Sequence, residues 1–123
     1  MSTSIARSGV STSVGTVVIG AGQAGLAVSR CLTDQGHDHV VLERGCVGER
    51  WRSERWDSLR LLTPNWMTRL PGYQYKGSDP DGYMTAGETA QFFADYAASF
   101  AAPVVEDAAV HDVRPAADGF RVT

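Results

Sequence analysis

The sequence predicts an α/β fold: a βαβ unit with parallel strands, a long irregular insertion, one further helix and a C-terminal β-hairpin. Three observations predict it. A β-branched run at residues 15–19 is followed by a glycine-rich turn and then by apolar residues at helical spacing. A second short apolar run at residues 40–42 completes a strand–helix–strand order, whose two strands are expected to be parallel. Far downstream, Thr85-Ala-Gly-Glu88 reads as a capping box that opens a second long helix.

Each element has its own local warrant. Residues 15–19 are apolar on both faces, which suits a buried strand. In the helix that follows, Ala24, Ala27, Val28, Cys31 and Leu32 form one stripe, so Cys31 is expected in the core. Gly36 stands where a left-handed C-cap is wanted. Residues 45–82 show no periodicity, contain Trp51, Trp56 and Trp66, and are expected to hold only short turns of helix; so long a stretch usually has a function or is ordered by a ligand. After the capping box, Phe92, Phe93, Tyr96, Ala97 and Phe100 share one helix face, and Pro103 ends the helix. Residues 104–106 and 108–113 read as short strands, and residues 120–123 as the return strand of a hairpin turning at Ala117-Asp118-Gly119. Residues 1–13 are rich in Ser and Thr and read as a flexible N-terminal arm before a domain spanning residues 14–123.

Composition narrows the classes. A chain of 123 residues with 43% hydrophobic and 20% charged residues is an ordinary globular domain. No apolar run is long enough for a membrane span, and the N-terminal stretch lacks the apolar block of a leader, so a cytoplasmic protein is expected. A net charge of −3 argues against nucleic acid as partner. Cys31 and Cys46 form no disulfide framework, and His37, His39 and His111 lack metal-ligand spacing, so no metal is expected. Five arginines, Arg44, Arg50, Arg52, Arg55 and Arg60, crowd one short stretch beside Glu49, Glu54 and Asp57 and read mainly as a solvated face.

The chemistry lies in Gly20-Ala21-Gly22-Gln23-Ala24-Gly25, which fits GxGxxG. Gly20 permits the tight turn out of the strand, Gly22 lets a pyrophosphate approach the backbone, and Gly25 lets helix and strands pack closely. Unpaired N–H groups at the start of the helix suit an anion. Glu43 follows Gly25 by 18 residues, at the end of the second strand, where a carboxylate accepts hydrogen bonds from a ribose diol and disfavours a 2′-phosphate. A preceding strand, a following helix and an acid at the right distance lift the motif above a chance glycine turn. They specify a Rossmann-like dinucleotide site.

The segments VVIGAGQAGLAVSRCL, VVLERG and VGERWRSERWDSLRLLTPNWMTRLPG resemble the N-terminal FAD domain of the flavin-dependent monooxygenases. The resemblance runs from Val14 onward and implies a Rossmann-like FAD-binding unit, with Gly20, Gly22, Gln23, Ala24 and Gly25 around the pyrophosphate, Glu43 on the adenosine ribose and Arg44 along the adenine. It implies that Gly48, Trp51 and Arg52 lie near the flavin and that the backbone of Val110 contacts adenine, while Arg55 and Arg60 stay at the surface. Animal-type members carry an asparagine near the position of Leu62; here the asparagine is Asn65. The resemblance implies an NAD(P)H-dependent oxidoreductase in which NADPH reduces FAD at a second glycine-rich unit. This chain has one such unit, so it is expected to be partial relative to the family, to hold no NADPH site, and to be inactive alone. Association through an unpaired sheet edge near Thr123 is a further expectation. The alternative is a non-catalytic nucleotide-binding remnant, or a module that needs a partner or a missing C-terminal half.

Overall fold

A computed structural model of the chain describes residues 2–7, 9–53 and 58–123. Arg55 and Trp56 lie outside the described residues. The elements in order are β1 (Ser2–Arg7), β2 (Val10–Val14), β3 (Thr16–Ile19), α1 (Gln23–Asp34), β4 (His39–Leu42), α2 (Glu49–Ser53), a 3-10 turn (Asn65–Met67), β5 (Arg69–Leu70), β6 (Tyr73–Gln74), α3 (Ala86–Ser99), β7 (Val104–Val105), β8 (Val113–Ala116) and β9 (Gly119–Val122).

The βαβ unit is present and parallel. β3 pairs with β4 from Thr16↔His39 to Ile19↔Leu42, and β7 adds to the far side of β4, giving the order β3-β4-β7. Read from its other edge, this is the 3-2-1 half of a doubly wound sheet. Gly36, at φ 65°, caps α1 as the sequence predicts. α1 is seated differently from the predicted stripe. Leu26 and Ser29 are its buried residues, Val28 is half-exposed and Cys31 is exposed. The cause is the close approach at Gly25, which turns the face holding residues 22, 25, 26 and 29 to the sheet. Counting apolar residues alone passes over a face made of two glycines, a leucine and a serine. Ser29 tolerates burial because its hydroxyl meets His39 Nε2 at 2.7 Å.

α3 is the centre of the molecule. Its capping box is formed as predicted: Thr85 Oγ1 accepts the Glu88 N–H, and Glu88 Oε1 accepts the Thr85 N–H. Phe92, Phe93, Tyr96 and Ala97 are buried with Leu26, Val41 and Met84. The irregular insertion packs on this helix, with the Tyr73 ring tilted against those of Phe92 and Tyr96 at centroid distances of 5.1 Å and 5.3 Å. Tyr96 donates its hydroxyl to the Pro71 carbonyl at 2.8 Å, and burial raises its pKa above the ordinary phenol value. Within the insertion, α2 and the 3-10 turn are the predicted short turns of helix, and β5 and β6 add a small hairpin.

Two further expectations are corrected. Residues 1–13 are not a flexible arm over the described positions: β1 and β2 form an antiparallel hairpin, and β1 pairs in parallel with β9 in a four-stranded sheet of order β2-β1-β9-β8. Alternating Ser, Thr, Ile and Val tolerate a strand, and the open N–H and C=O row of β9 supplies a partner. The edge of β9 is therefore covered. Residues 108–113 do not form one strand; β8 begins at Val113. The N–H of Ala108 goes to the Glu43 carbonyl, and those of His111 and Asp112 go to the Thr123 carbonyl, so this stretch is spent on connections. Among the described residues, no helix is long and apolar enough to cross a membrane.

Candidate functional site

The carboxyl ends of β3 and β4 meet the start of α1, the place where open α/β sheets bind ligands. A cleft of about 190 Å³ opens there, walled by Ala21, Gly22 and Gln23 of the glycine loop, by Glu43, Cys46 and residues 48–51, and by Phe93. A larger groove, about 820 Å³, lies between the four-stranded sheet and Val40, Leu42 and Val105 of the parallel sheet. That groove is lined mostly by apolar residues, whereas the smaller cleft brings the glycine loop, the start of α1 and Glu43 together, so the chemistry points to the smaller one.

The glycine loop is shaped for close packing and for an anion. A Cβ at Gly25 would run into the Gly20 carbonyl, so only glycine lets α1 sit this near β3. A Cβ at Gly22 would meet nothing within 4 Å, which leaves open space in front of the loop backbone. Gly22 is also the N-cap of α1 and has no side chain to satisfy the first-turn donors, and no acidic residue stands in that turn. The positive end of the helix dipole is thus left for an external anion. Gln23 and Gly22 line the cleft; Ala24 lies beyond them in the first turn of α1.

Glu43 ties the loops together. Its Oε1 accepts the Ala21 N–H at 2.9 Å and its Oε2 accepts the Gly45 N–H at 2.8 Å. An ionised carboxylate has about four acceptor positions, so these bonds use half of its capacity.

Other predicted residues separate. Gly48 lines the cleft, and its φ of 83° together with Ala90, whose carbonyl oxygen would be 2.8 Å from an added Cβ, requires glycine there. It serves the packing of this loop on α3 as well as the cleft. Trp51 is half-buried at the cleft wall, with its ring centroid 6.4 Å from that of Phe93. Arg52 does not line the cleft. Its Nη1 donates to the Val47 carbonyl at 2.7 Å. Arg44 is exposed and outside the cleft lining. Val110 lines the larger groove, two residues past Ala108, whose N–H bonds the Glu43 carbonyl at 2.8 Å. Arg60 is exposed, and it donates to the Tyr83 carbonyl. Asn65 is buried outside the cleft and donates to the Asp79 carbonyl, while Leu62 is exposed.

Beyond the glycine loop, four of the described cleft residues escape a reading of the sequence: Cys46, Glu49, Arg50 and Phe93. Arg50 sits inside the visible arginine cluster, but nothing in its spacing separates it from Arg52. Phe93 reads as core because it does belong to the hydrophobic core, at the point where that core meets the cleft. The Cys46 thiol donates to Glu49 Oε2 at 3.0 Å. That bond and burial raise the thiol pKa above its ordinary value of 9.0, while the bonds from Cys46 and Ser53 lower that of Glu49. Cys46 therefore stays a protonated thiol at neutral pH.

Comparison with known proteins agrees with this geometry. The chain is 39% identical over 111 residues to an uncharacterized CzcO-like oxidoreductase of Geobacillus kaustophilus, covering 89% of this chain and 31% of that protein. It is 36% identical over 87 residues to the indole-3-pyruvate monooxygenase YUCCA6 of Arabidopsis thaliana, covering 70% and 21%. A solved flavin-containing monooxygenase from Stenotrophomonas maltophilia superposes with a TM-score of 0.74 at 27% identity, over 89% of this chain and 36% of that one. The chain spans about a third of the length of the Geobacillus relative. Residues 17–123 match the family model described as pyridine nucleotide-disulphide oxidoreductase, so the fold, the glycine loop and the match over most of the chain place this protein in the pyridine nucleotide-disulphide oxidoreductase family.

Proposed function

We propose that the chain is the FAD-binding portion of an NAD(P)H-dependent flavoprotein oxidoreductase of the monooxygenase type. The observation that carries this reading is the Glu43 carboxylate, held by Ala21 and Gly45 with two acceptor positions left over. Two free acceptors and no donor match the vicinal hydroxyls of a ribose and repel a 2′-phosphate. The first-turn N–H groups of α1 hold the pyrophosphate charge, with Gly22 admitting it to the backbone. Trp51 and Phe93 give the cleft an apolar wall that keeps water off that side. At about 190 Å³ the cleft is smaller than the ~300–1,000 Å³ typical of whole-ligand pockets, so it suits the ribose and diphosphate rather than all of FAD. When bound, FAD supplies hydride acceptance from a nicotinamide and, once reduced, reaction with dioxygen. NADPH as reductant and the organic substrate would be held by residues outside this chain, whose one glycine-rich βαβ unit is the FAD site.

Titration of the full chain with FAD, followed by flavin fluorescence, tests the reading. Saturable quenching near one equivalent is expected. Glu43→Ala is expected to weaken binding about tenfold, or about 1.4 kcal/mol. Unchanged affinity in that variant would refute the ribose assignment, and a chain that takes up no FAD would refute the cofactor. The small cleft and partial span favour one second reading, a nucleotide-binding module that works only with a partner. Mixing the loaded chain with NADPH bears on both readings: absence of flavin reduction is expected of the chain alone, and turnover would exclude the module and overturn the placing of the NADPH site outside this chain.

A further inference from the structure

The residues after β7 make three hydrogen bonds to the loop after β4. Ala108 donates its N–H to the Glu43 carbonyl at 2.8 Å, and Asp107 donates to the Gly45 carbonyl at 3.0 Å. The third bond uses a side chain: the Val47 N–H donates to Glu106 Oε2 at 2.9 Å. The pairs 108–43, 107–45 and 106–47 run in opposite directions along the two segments and hold every second residue of the loop. Asp107 adopts φ 53°, a left-handed conformation that aspartate tolerates better than most residues. This turn leaves the Glu106 carboxylate facing Val47. Arg7, from the N-terminal hairpin, donates to the Asp107 carbonyl at 3.3 Å and ties the same turn to β1.

The loop needs such anchors because residues 43–48 have no ladder of their own beyond β4. Its near end is fixed by Glu43 and its far end by Gly48 against Ala90. Val47 lies between them, immediately before the segment that brings Arg50 and Trp51 to the cleft. Glu106 does not line the cleft, and its hydrogen bond to this loop is made at Val47.

We infer that Glu106 is a positioning residue of this cleft: its carboxylate fixes Val47, and with it the loop that presents Gly48, Arg50 and Trp51 to the ligand. The inference rests on the dinucleotide reading of the cleft. A glutamine at position 106 keeps an oxygen that accepts the Val47 N–H, whereas an alanine does not.

The experiment compares the full wild-type chain with Glu106→Ala and Glu106→Gln. The first readout is amide hydrogen exchange at Val47 without ligand, and the second is FAD affinity by fluorescence titration. In Glu106→Ala, Val47 exchange is expected to accelerate about tenfold and the FAD Kd to rise about fivefold. Glu106→Gln is expected to restore both, and exchange across α3 to stay at the wild-type rate in all three proteins. Unchanged Val47 exchange in Glu106→Ala overturns the inference. So does a glutamine variant as impaired as the alanine one, or faster exchange spread over α3, which would mark a general loss of stability. If Val47 responds as expected but the wild-type chain takes up no FAD, the loop anchor stands and the flavin reading falls.

Discussion

At the scale of single residues, the site depends on absent and restrained side chains as much as on reactive ones. Gly25 is the sharpest case. Its added Cβ would overlap a backbone carbonyl that cannot swing aside, so Gly25→Ala is expected to cost on the order of 3 kcal/mol, checked by urea denaturation, and to weaken FAD uptake in parallel. A wild-type midpoint in that variant would mean the loop can relax. Cys46 gives a pH prediction. Its thiol pKa is raised, first by the bond to Glu49 and then by burial, so the thiolate is scarcer at any pH below the folded value than in a free cysteine. Alkylation of Cys46 by iodoacetamide is expected to be slow at pH 7 and to climb as pH passes above 9.0. Glu49→Gln removes the negative charge beside the sulfur and is expected to accelerate the reaction at pH 8. Mass spectrometry of the modified peptide separates it from exposed Cys31.

At the scale of elements, α3 organises the chain by gathering the insertion around its aromatic face. The capping box at its start satisfies two backbone donors that would otherwise be left open. Thr85→Ala is expected to cost about 1 kcal/mol and to lower the thermal midpoint by about 4 °C, measured by circular dichroism. The loss is expected to reach the cleft, because Gly48 rests on Ala90 and Trp51 on Phe93, both on this helix. α1 carries the opposite lesson. It is an amphipathic helix whose inward face is set by the tightest contact available, at Gly25, rather than by its most apolar residues.

At the scale of the whole molecule, the described residues form two larger sheets beside the small β5-β6 hairpin: a parallel one that carries the cleft and a mixed one closed by the N-terminal hairpin. The hairpin lies outside the residues that match the family model, yet it covers the edge of β9. β1 is flanked on both sides, so a proline within it removes a ladder donor and disrupts the pairing. Ile5→Pro is expected to expose the β9 amides, residues 119–122, to rapid hydrogen exchange while α3 stays protected. Equal protection of β9 in that variant would show that the hairpin does not guard this edge.

The sequence by itself determined the βαβ unit, its parallel strands, the glycine loop with Glu43, the capping box of α3 and the C-terminal hairpin. Each depends on residues close in the chain, where spacing and local hydrogen bonding decide the outcome. The tertiary structure alone decided which face of α1 is buried, where residues 2–7 and 9–14 go, and which described members of the arginine and tryptophan cluster reach the cleft. Arg50 and Arg52 are chemically alike and two positions apart; one lines the cleft and the other is turned onto the Val47 carbonyl. Glu106 is separated from Val47 by 59 positions, and no local pattern marks the pair. Such contacts arise when distant segments pack, because packing geometry, rather than residue type, selects among equivalent side chains.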